Sequence, residues 1–208
     1  MADRLRVLFV TPELAPWVKA GGLGDVAHGL PLALGRAGVD VRILVPAYRE
    51  LARAFPEAEV LGNLDAWGGA FAPAQLLTAS GEIPLYLLGC PDYFARGGGA
   101  YQSPQGADWP DNHLRFGLLG RAAAAFGSGA MPIDWTPDIV HCNDWQSGLA
   151  PAYLSARRTS AANASMERES NRFSPKRGIV MSSLVPPPWR REVSTSTFRA
   201  STGSCPLA

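Results

Sequence analysis

Two five-residue runs rich in β-formers, Arg6–Val10 and Val41–Val45, flank a glycine-bearing loop and a stripe of apolar residues at helical spacing. Each run is too short for a helix and ends at a proline signal, Thr11-Pro12 or Pro46, so both read as buried strands. Between them Val26, Leu30, Leu34 and Ala37 mark one face of a helix over Asp25–Arg36, with Gly38 as its stop and Pro31 as a kink or break. Strand, crossover helix and strand in that order specify a right-handed unit of a parallel sheet. The pattern continues downstream. Ala70–Leu77 and Ile83–Leu88, joined across Ser80-Gly81-Glu82, predict a β-hairpin; Asn112–Phe126 predicts a helix with Leu114, Leu118, Ala122 and Phe126 on one stripe. Ile139–Cys142 predicts another strand and Trp145–Ala156 another helix. The fold class is therefore α/β, a doubly wound parallel sheet with an inserted β-hairpin.

Composition narrows the functional classes. With 47% apolar and 18% charged residues the 208-residue chain is globular, and a net charge of +1 argues neither for nucleic acid nor for a membrane surface. No apolar run approaches the roughly 20 residues that span a bilayer. The first residues show no secretory h-region, and three cysteines (Cys90, Cys142, Cys205) at no metal-like spacing suit a reducing compartment, so a cytoplasmic location is expected. These averages hide a seam near Arg158: residues 1–158 carry a net −3, whereas residues 159–208 carry +4, ten Ser, four Thr and a Pro186-Pro187-Pro188 run. The tail has no helical or strand period, and Ile179-Val180-Met181 is too short to define an element, so residues 159–208 are expected to be irregular.

The chemistry-bearing stretch is Glu13 through Val26, at the carboxyl end of the first strand and leading into a helix N-terminus, where ligands bind in open α/β sheets. The Gly21-Gly22 pair lets a bound group approach the backbone, its N–H groups favour phosphate oxygens, and Lys19 adds a positive charge. The bland alternative is a flexible loop with a solvated lysine. A P-loop is excluded because the lysine precedes the glycines. Gly22-x-Gly24-x-x-Ala27 fits a relaxed dinucleotide fingerprint, but about a dozen residues separate it from its strand, and no acidic residue closes the second strand at Leu44-Val45-Pro46.

Glu13, Pro16, Lys19, Gly21-Gly22-Leu23 and Asp25-Val26 match the E-x-x-P-x-x-K-x-G-G-L-x-D-V signature of bacterial glycogen synthases and plant starch synthases. Asp92–Tyr101 and Pro137–Gln146, the latter reading Pro-Asp-Ile-Val-His-Cys-Asn-Asp-Trp-Gln, are similar to two further blocks of that family. Residues 5–158 thus resemble the N-terminal domain of an ADP-glucose-type synthase. The resemblance implies a Rossmann-like half of a GT-B fold and a reaction that moves glucose from ADP-glucose to an α-1,4-glucan with retention, using no metal or other cofactor. It also implies roles: Lys19, Gly21, Gly22, Leu23 and Asp25 at the donor's phosphates and sugar, and Glu13, Tyr101, His141 and Asp144 around the glucose and acceptor. Of these, Glu13, His141 and Asp144 are the candidate catalytic residues.

Each residue has a plainer alternative. Asp144 suits a helix N-cap, His141 a satisfied histidine near the core, and Tyr101 loop packing. His28 and His113 read as structural, Arg42, Arg49 and Glu50 as a solvated face, and Trp67, Trp109 and Trp135 as loop packing. Beyond residue 158 the resemblance stops, and the abrupt change in composition leads to the expectation of a frameshifted tail. The main expectation is a truncated glucosyltransferase without turnover of its own. A non-catalytic glucan- or nucleotide-sugar-binding remnant and a dinucleotide-dependent oxidoreductase are the alternatives. Nucleic-acid binding by the tail is disfavoured because its charges lack interleaved aromatics.

Overall fold

The computed structural model describes residues 4–64, 71–131, 133–157 and 178–182. The first strand, β1 (Arg6–Val10), is buried from Val7 onward. The helix after it, α1 (Gly22–Arg36), begins three residues earlier than the periodicity suggests and runs through Pro31 without ending. It turns Leu23, Gly24, Ala27 and Pro31 to the interior, while Leu30 is exposed; the core-facing stripe is thus one step removed from the predicted Val26–Leu30–Leu34 face. Gly38 closes the helix at φ +90°, a left-handed conformation that a side chain disfavours, with its N–H bonded to the Gly35 carbonyl.

The chain continues through β2 (Asp40–Pro46), α2 (Arg49–Ala54), β3 (Glu59–Leu64), β4 (Ala74–Ala79) and β5 (Leu85–Gly89). Then follow α3 (Pro91–Phe94), α4 (Asn112–Gly127), β6 (Ile139–Asn143), a 3₁₀ turn at Trp145–Ser147, α5 (150–157) and β7 (Gly178–Ser182). Among the described residues these strands form one seven-stranded sheet, ordered β3-β4-β5-β2-β1-β6-β7. Neighbours from β5 to β7 are parallel, and β3 and β4 are antiparallel additions at one edge.

The hairpin expectation is met by β4 and β5, with later boundaries than the sequence suggests, and β5 joins the main sheet beside β2 rather than standing apart. The edge strand β3 has no clear period-2 pattern and carries an irregularity between Val60 and Gly62, which is why the sequence does not announce it. Three expectations need correction. The cluster Ile179-Val180-Met181 does form a strand: β7 pairs in parallel with β6, Val140 opposite Ile179 and His141 opposite Val180, because a fixed neighbour makes a five-residue strand sufficient. The rest of the predicted irregular tail, and Trp67, lie outside the described residues. The Trp145–Ala156 helix is split, with Trp145–Ser147 forming a 3₁₀ turn and the α-helical part confined to 150–157. Arg42 is not solvated: its guanidinium lies 4.4 Å from the centroid of the Trp135 ring and bonds to the Tyr86 hydroxyl.

The core is continuous across the sheet. Leu8, Phe9, Leu44, Leu87 and Leu88 in the parallel strands are essentially inaccessible, and α4, packed on β1, β2 and β6, is buried on nearly every side from Arg115 to Gly127. Truncating a central strand should therefore cost far more than trimming the edge. Leu44→Ala is expected to lose roughly 2–5 kcal/mol of unfolding free energy. Val60→Ala, at an exposed position on β3, should change it by less than about 0.5 kcal/mol, both measured by urea denaturation.

Candidate functional site

The connection after β1 leads to β2 on one side, and β6 lies on the other, so the sheet changes winding direction between β1 and β6. A crevice opens outside the carboxyl ends of strands at such a point. Here Asn143, fully buried at the end of β6, donates from Nδ2 to the Val10 carbonyl (2.8 Å), tying the two strand ends together. The loops after these strands carry the residues singled out by sequence.

The β1 loop folds back on itself. Leu14 and Val18 exchange both backbone hydrogen bonds at 2.9 Å, and the Ala15 N–H reaches the Gly24 carbonyl in the first turn of α1. Glu13, only 3% exposed, lies behind this small hairpin. Its Oε2 accepts from the backbone N–H groups of Ala20 (2.8 Å) and Gly21 (3.2 Å), and its Oε1 accepts from the Tyr101 hydroxyl at 2.5 Å. No ion pair to Glu13 forms among the described residues; the carboxylate is satisfied by these donors.

The glycines divide by what a side chain would meet. A Cβ on Gly24 would come within 3.2 Å of the Lys19 Cγ and 3.4 Å of the Val18 carbonyl, so that glycine serves internal packing. A Cβ on Gly21 or Gly22 would meet nothing within 4 Å. Neither has a positive φ, so nothing among the described residues calls for their small size, and the space beside them lies at the N-terminus of α1. Leu23 is buried in the first turn of α1. Lys19 and Asp25 form an exposed ion pair, Nζ to Oδ2 2.7 Å. Exposed pairs of this kind contribute only about 0–1 kcal/mol, so the ammonium is readily handed to another anion.

His141 and Asp144 come from β6 and the residue after it. His141 packs edge-on against Phe9, with ring centroids 4.9 Å apart, and its half-buried position lowers its pKa, which favours the neutral imidazole. Asp144 sits at φ 61°, ψ 179°, a conformation that costs a non-glycine residue of order 1–3 kcal/mol and that clusters at functional sites. Its side chain accepts from the Trp145 N–H at 2.7 Å, so the N-capping alternative is realised, on a 3₁₀ turn. Tyr101 does more than pack its loop. Burial, and then its bond to Glu13, raise its pKa well above the ordinary tyrosine value, keeping the hydroxyl a donor.

Glu13, Lys19, Gly21, Gly22 and Tyr101 are thus brought together around one turn; Asp144 follows the end of the neighbouring strand β6, and His141 lies in the middle of that strand beside Phe9. A cleft of about 210 Å³ runs beside the turn, walled by Lys19, Tyr48, Arg96, Trp109 and the 97–99 glycines. A larger hollow of about 420 Å³ lies at the opposite, amino-terminal end of the sheet, near Arg4, Arg6 and Asp40, and contains none of these residues. Sequence reasoning missed Asn112, Arg115 and Asn143. A signal for Arg115 was present: a cation directly ahead of the apolar run Phe116–Leu119. His28 and His113 stay peripheral, the former 3.9 Å from exposed Glu82 and the latter exposed at the start of α4.

An α/β sheet with two glycines beside open space, a lysine and a carboxylate–tyrosine pair at its winding reversal has the architecture of the doubly wound domains that bind ligands at such a point. Comparison sharpens this. The model of the starch synthase catalytic domain family matches residues 6–166, and the chain belongs to that family. It is 54% identical over 151 residues to a glycogen synthase of Dechloromonas aromatica and 49% identical over 156 residues to one of Nitrosospira multiformis. Each match covers 72% of this chain and 31% of the relative, so the chain spans about a third of their length. The solved catalytic domain of starch synthase IV from Arabidopsis thaliana, bound to ADP and acarbose, superimposes with a TM-score of 0.57 at 25% identity, covering 87% of this chain and 34% of that one. The architecture is accordingly the Rossmann-like N-terminal half of a GT-B fold.

Because burial holds His141 neutral, its proton affinity is higher in the unfolded chain. Stability is therefore fully present above the unfolded histidine pKa of about 6.5 and is lost as pH falls below it. Urea unfolding at pH 7 and pH 5 should show this loss, and His141→Gln should reduce it.

Proposed function

We propose that this chain supplies the N-terminal wall of a glucosyl-transfer cleft of the glycogen synthase type, with ADP-glucose as donor and an α-1,4-glucan as acceptor. The observation that carries the reading is the Glu13-held turn, which leaves open space beside Gly21 and Gly22 at the N-terminus of α1, close to Lys19. A departing nucleoside diphosphate develops negative charge, and fixed N–H donors at a helix N-terminus with an adjacent ammonium stabilise it. On this reading Lys19 exchanges its Asp25 partner for a phosphate oxygen, while Leu23, buried in the first turn of α1, lies at the same turn. Asp144, just after β6, and His141, within it, are assigned to the sugar and the acceptor. A neutral imidazole there can share a hydrogen bond with a hydroxyl without adding charge. The Glu13 carboxylate, already committed to three donors, acts by orienting the turn and Tyr101.

Retaining transfer requires both substrates to be held in one closed, water-poor cleft. The 208 residues span 31% of the matched relatives, so we expect this polypeptide alone to bind the donor weakly and to incorporate no glucose into glycogen. A cytoplasmic setting goes with this reading; among the described residues no helix is long and apolar enough to cross a membrane. We also infer that the composition change after about residue 158 records a shift of reading frame, which sequencing the gene across that codon tests.

Titration of the ¹⁵N-labelled chain with ADP-glucose, followed by amide NMR, tests the functional reading. Shifts are expected at Ala20–Leu23, and Lys19→Ala should weaken binding about tenfold, as loss of one charge-assisted contact implies. Gly22→Ala should fold as stably as the parent yet bind less well. Shifts confined to the end of β2, or none at millimolar ligand, would overturn the reading.

A further inference from the structure

The turn that receives the donor on this reading is held by Glu13, and Glu13 is held by Tyr101. Tyr101 sits in the loop between α3 and α4, next to an isolated antiparallel bridge between Gln102 and Asp108. Its carbonyl is held by residues at and just before the start of α4. Asn112 Nδ2 donates to the Tyr101 carbonyl at 2.9 Å, and the Trp109 N–H donates to the same oxygen at 3.1 Å. Arg115, 1% exposed, reaches back beneath the loop. One of its terminal nitrogens donates to the Ala100 carbonyl (3.0 Å) and to Asn112 Oδ1 (2.6 Å), while its Nε donates to the Tyr93 carbonyl (2.9 Å). Its guanidinium also lies 5.5 Å from the Phe94 ring centroid and 5.4 Å from that of Phe116.

A buried arginine that spends its donors on two main-chain carbonyls and one side-chain amide is an expensive way to fill space; an apolar residue there would be cheaper. The carbonyls it serves belong to Ala100, immediately before Tyr101, and Tyr93, in α3 just ahead of the same loop. The fork geometry of a guanidinium holds both at once, which an ammonium cannot do. Every link from there to the glycine turn is a hydrogen bond already described: Arg115 to Ala100 and Asn112, Asn112 to Tyr101, Tyr101 to Glu13, and Glu13 to the N–H groups of Ala20 and Gly21.

We propose that Arg115, acting with Asn112, is a positioning residue for the donor site: it sets the height of Tyr101, which aims the Glu13 carboxylate, and that carboxylate, by accepting from the Ala20 and Gly21 N–H groups, fixes the turn beside the open space at the N-terminus of α1. It touches no substrate. The proposal rests on the reading of that turn as the donor's phosphate site, and it predicts a long-range effect along this one path. Substitutions at Arg115 or Asn112 release the turn while the sheet stays intact.

Amide hydrogen exchange of the full 208-residue chain, read by NMR, tests this in Arg115→Lys, Arg115→Met and Asn112→Ala, with the Ala47 amide, bonded to the Leu88 carbonyl, as an internal reference. The expected result is that Ala20 and Gly21 exchange about tenfold faster relative to Ala47 in Asn112→Ala and Arg115→Lys, and that ADP-glucose binding weakens in parallel. A merely structural role would move Ala20, Gly21 and Ala47 together. Should Arg115→Met fail to fold, Asn112→Ala and the charge-preserving lysine variant decide the matter. Folded variants whose Ala20 and Gly21 amides keep the parent's protection overturn the proposal. If the parent chain binds no ADP-glucose, the donor-site reading falls, and the exchange data still decide whether Arg115 orients the turn.

Discussion

A carboxylate buried at 3% exposure with no cation paired to it can persist only if hydrogen bonds replace the water it has lost. Glu13 meets that condition by drawing three donors from two other parts of the chain: the entry to α1 and the loop between α3 and α4. The geometry of the site follows from this. The turn at Ala20–Gly21 cannot relax without stranding a buried charge, and Tyr101 cannot withdraw without leaving one lone-pair region empty. The same carboxylate explains why Gly21, an N-cap in extended conformation with no side chain to cap the helix, is nevertheless held in place.

The sheet supplies the frame for that arrangement. Asn143 bridges the ends of β1 and β6, so the loop carrying Glu13 and the residue Asp144 are fixed relative to one another where the winding reverses. Asp144 is held in a left-handed, extended conformation by its own bond to the Trp145 N–H and by Ser147, whose hydroxyl donates to the Asn143 and Asp144 carbonyls. Strain of this sort survives only where neighbours impose it, and here both neighbours lie in the short 3₁₀ turn that interrupts the expected helix.

Much of this was legible in the residues. The β1, β2 and β6 strands are short apolar runs bounded by proline signals, α4 is long and strongly apolar, and the loop from Glu13 to Val26 concentrates chemistry where an α/β sheet binds ligands. The illegible parts share a physical cause: their conformation is decided by a partner distant in sequence. β3 and β7 are edge strands whose pairing depends on β4 and β6, and Ile179–Met181 carries no period of its own. The face of α1 was misjudged by one residue because Pro31, counted as a breaker, is one of its buried positions. Arg42 looked like surface charge because neither Trp135 nor Tyr86 is near it in sequence. Arg115 went unremarked because the carbonyls it serves lie 15 and 22 positions away.

The chain belongs to the starch synthase catalytic domain family, and the Glu13 contacts give a physical reason why a glutamate, the glycine turn and a distant tyrosine belong together. The most direct measurement is a double-mutant cycle between Glu13→Ala and Tyr101→Phe, read as unfolding free energy at neutral pH. The account predicts a coupling of about 1–3 kcal/mol, since removing either partner deprives the other of its buried bond. Additivity to within about 0.5 kcal/mol would mean that the two side chains do not depend on each other, and the site would have to be explained without them.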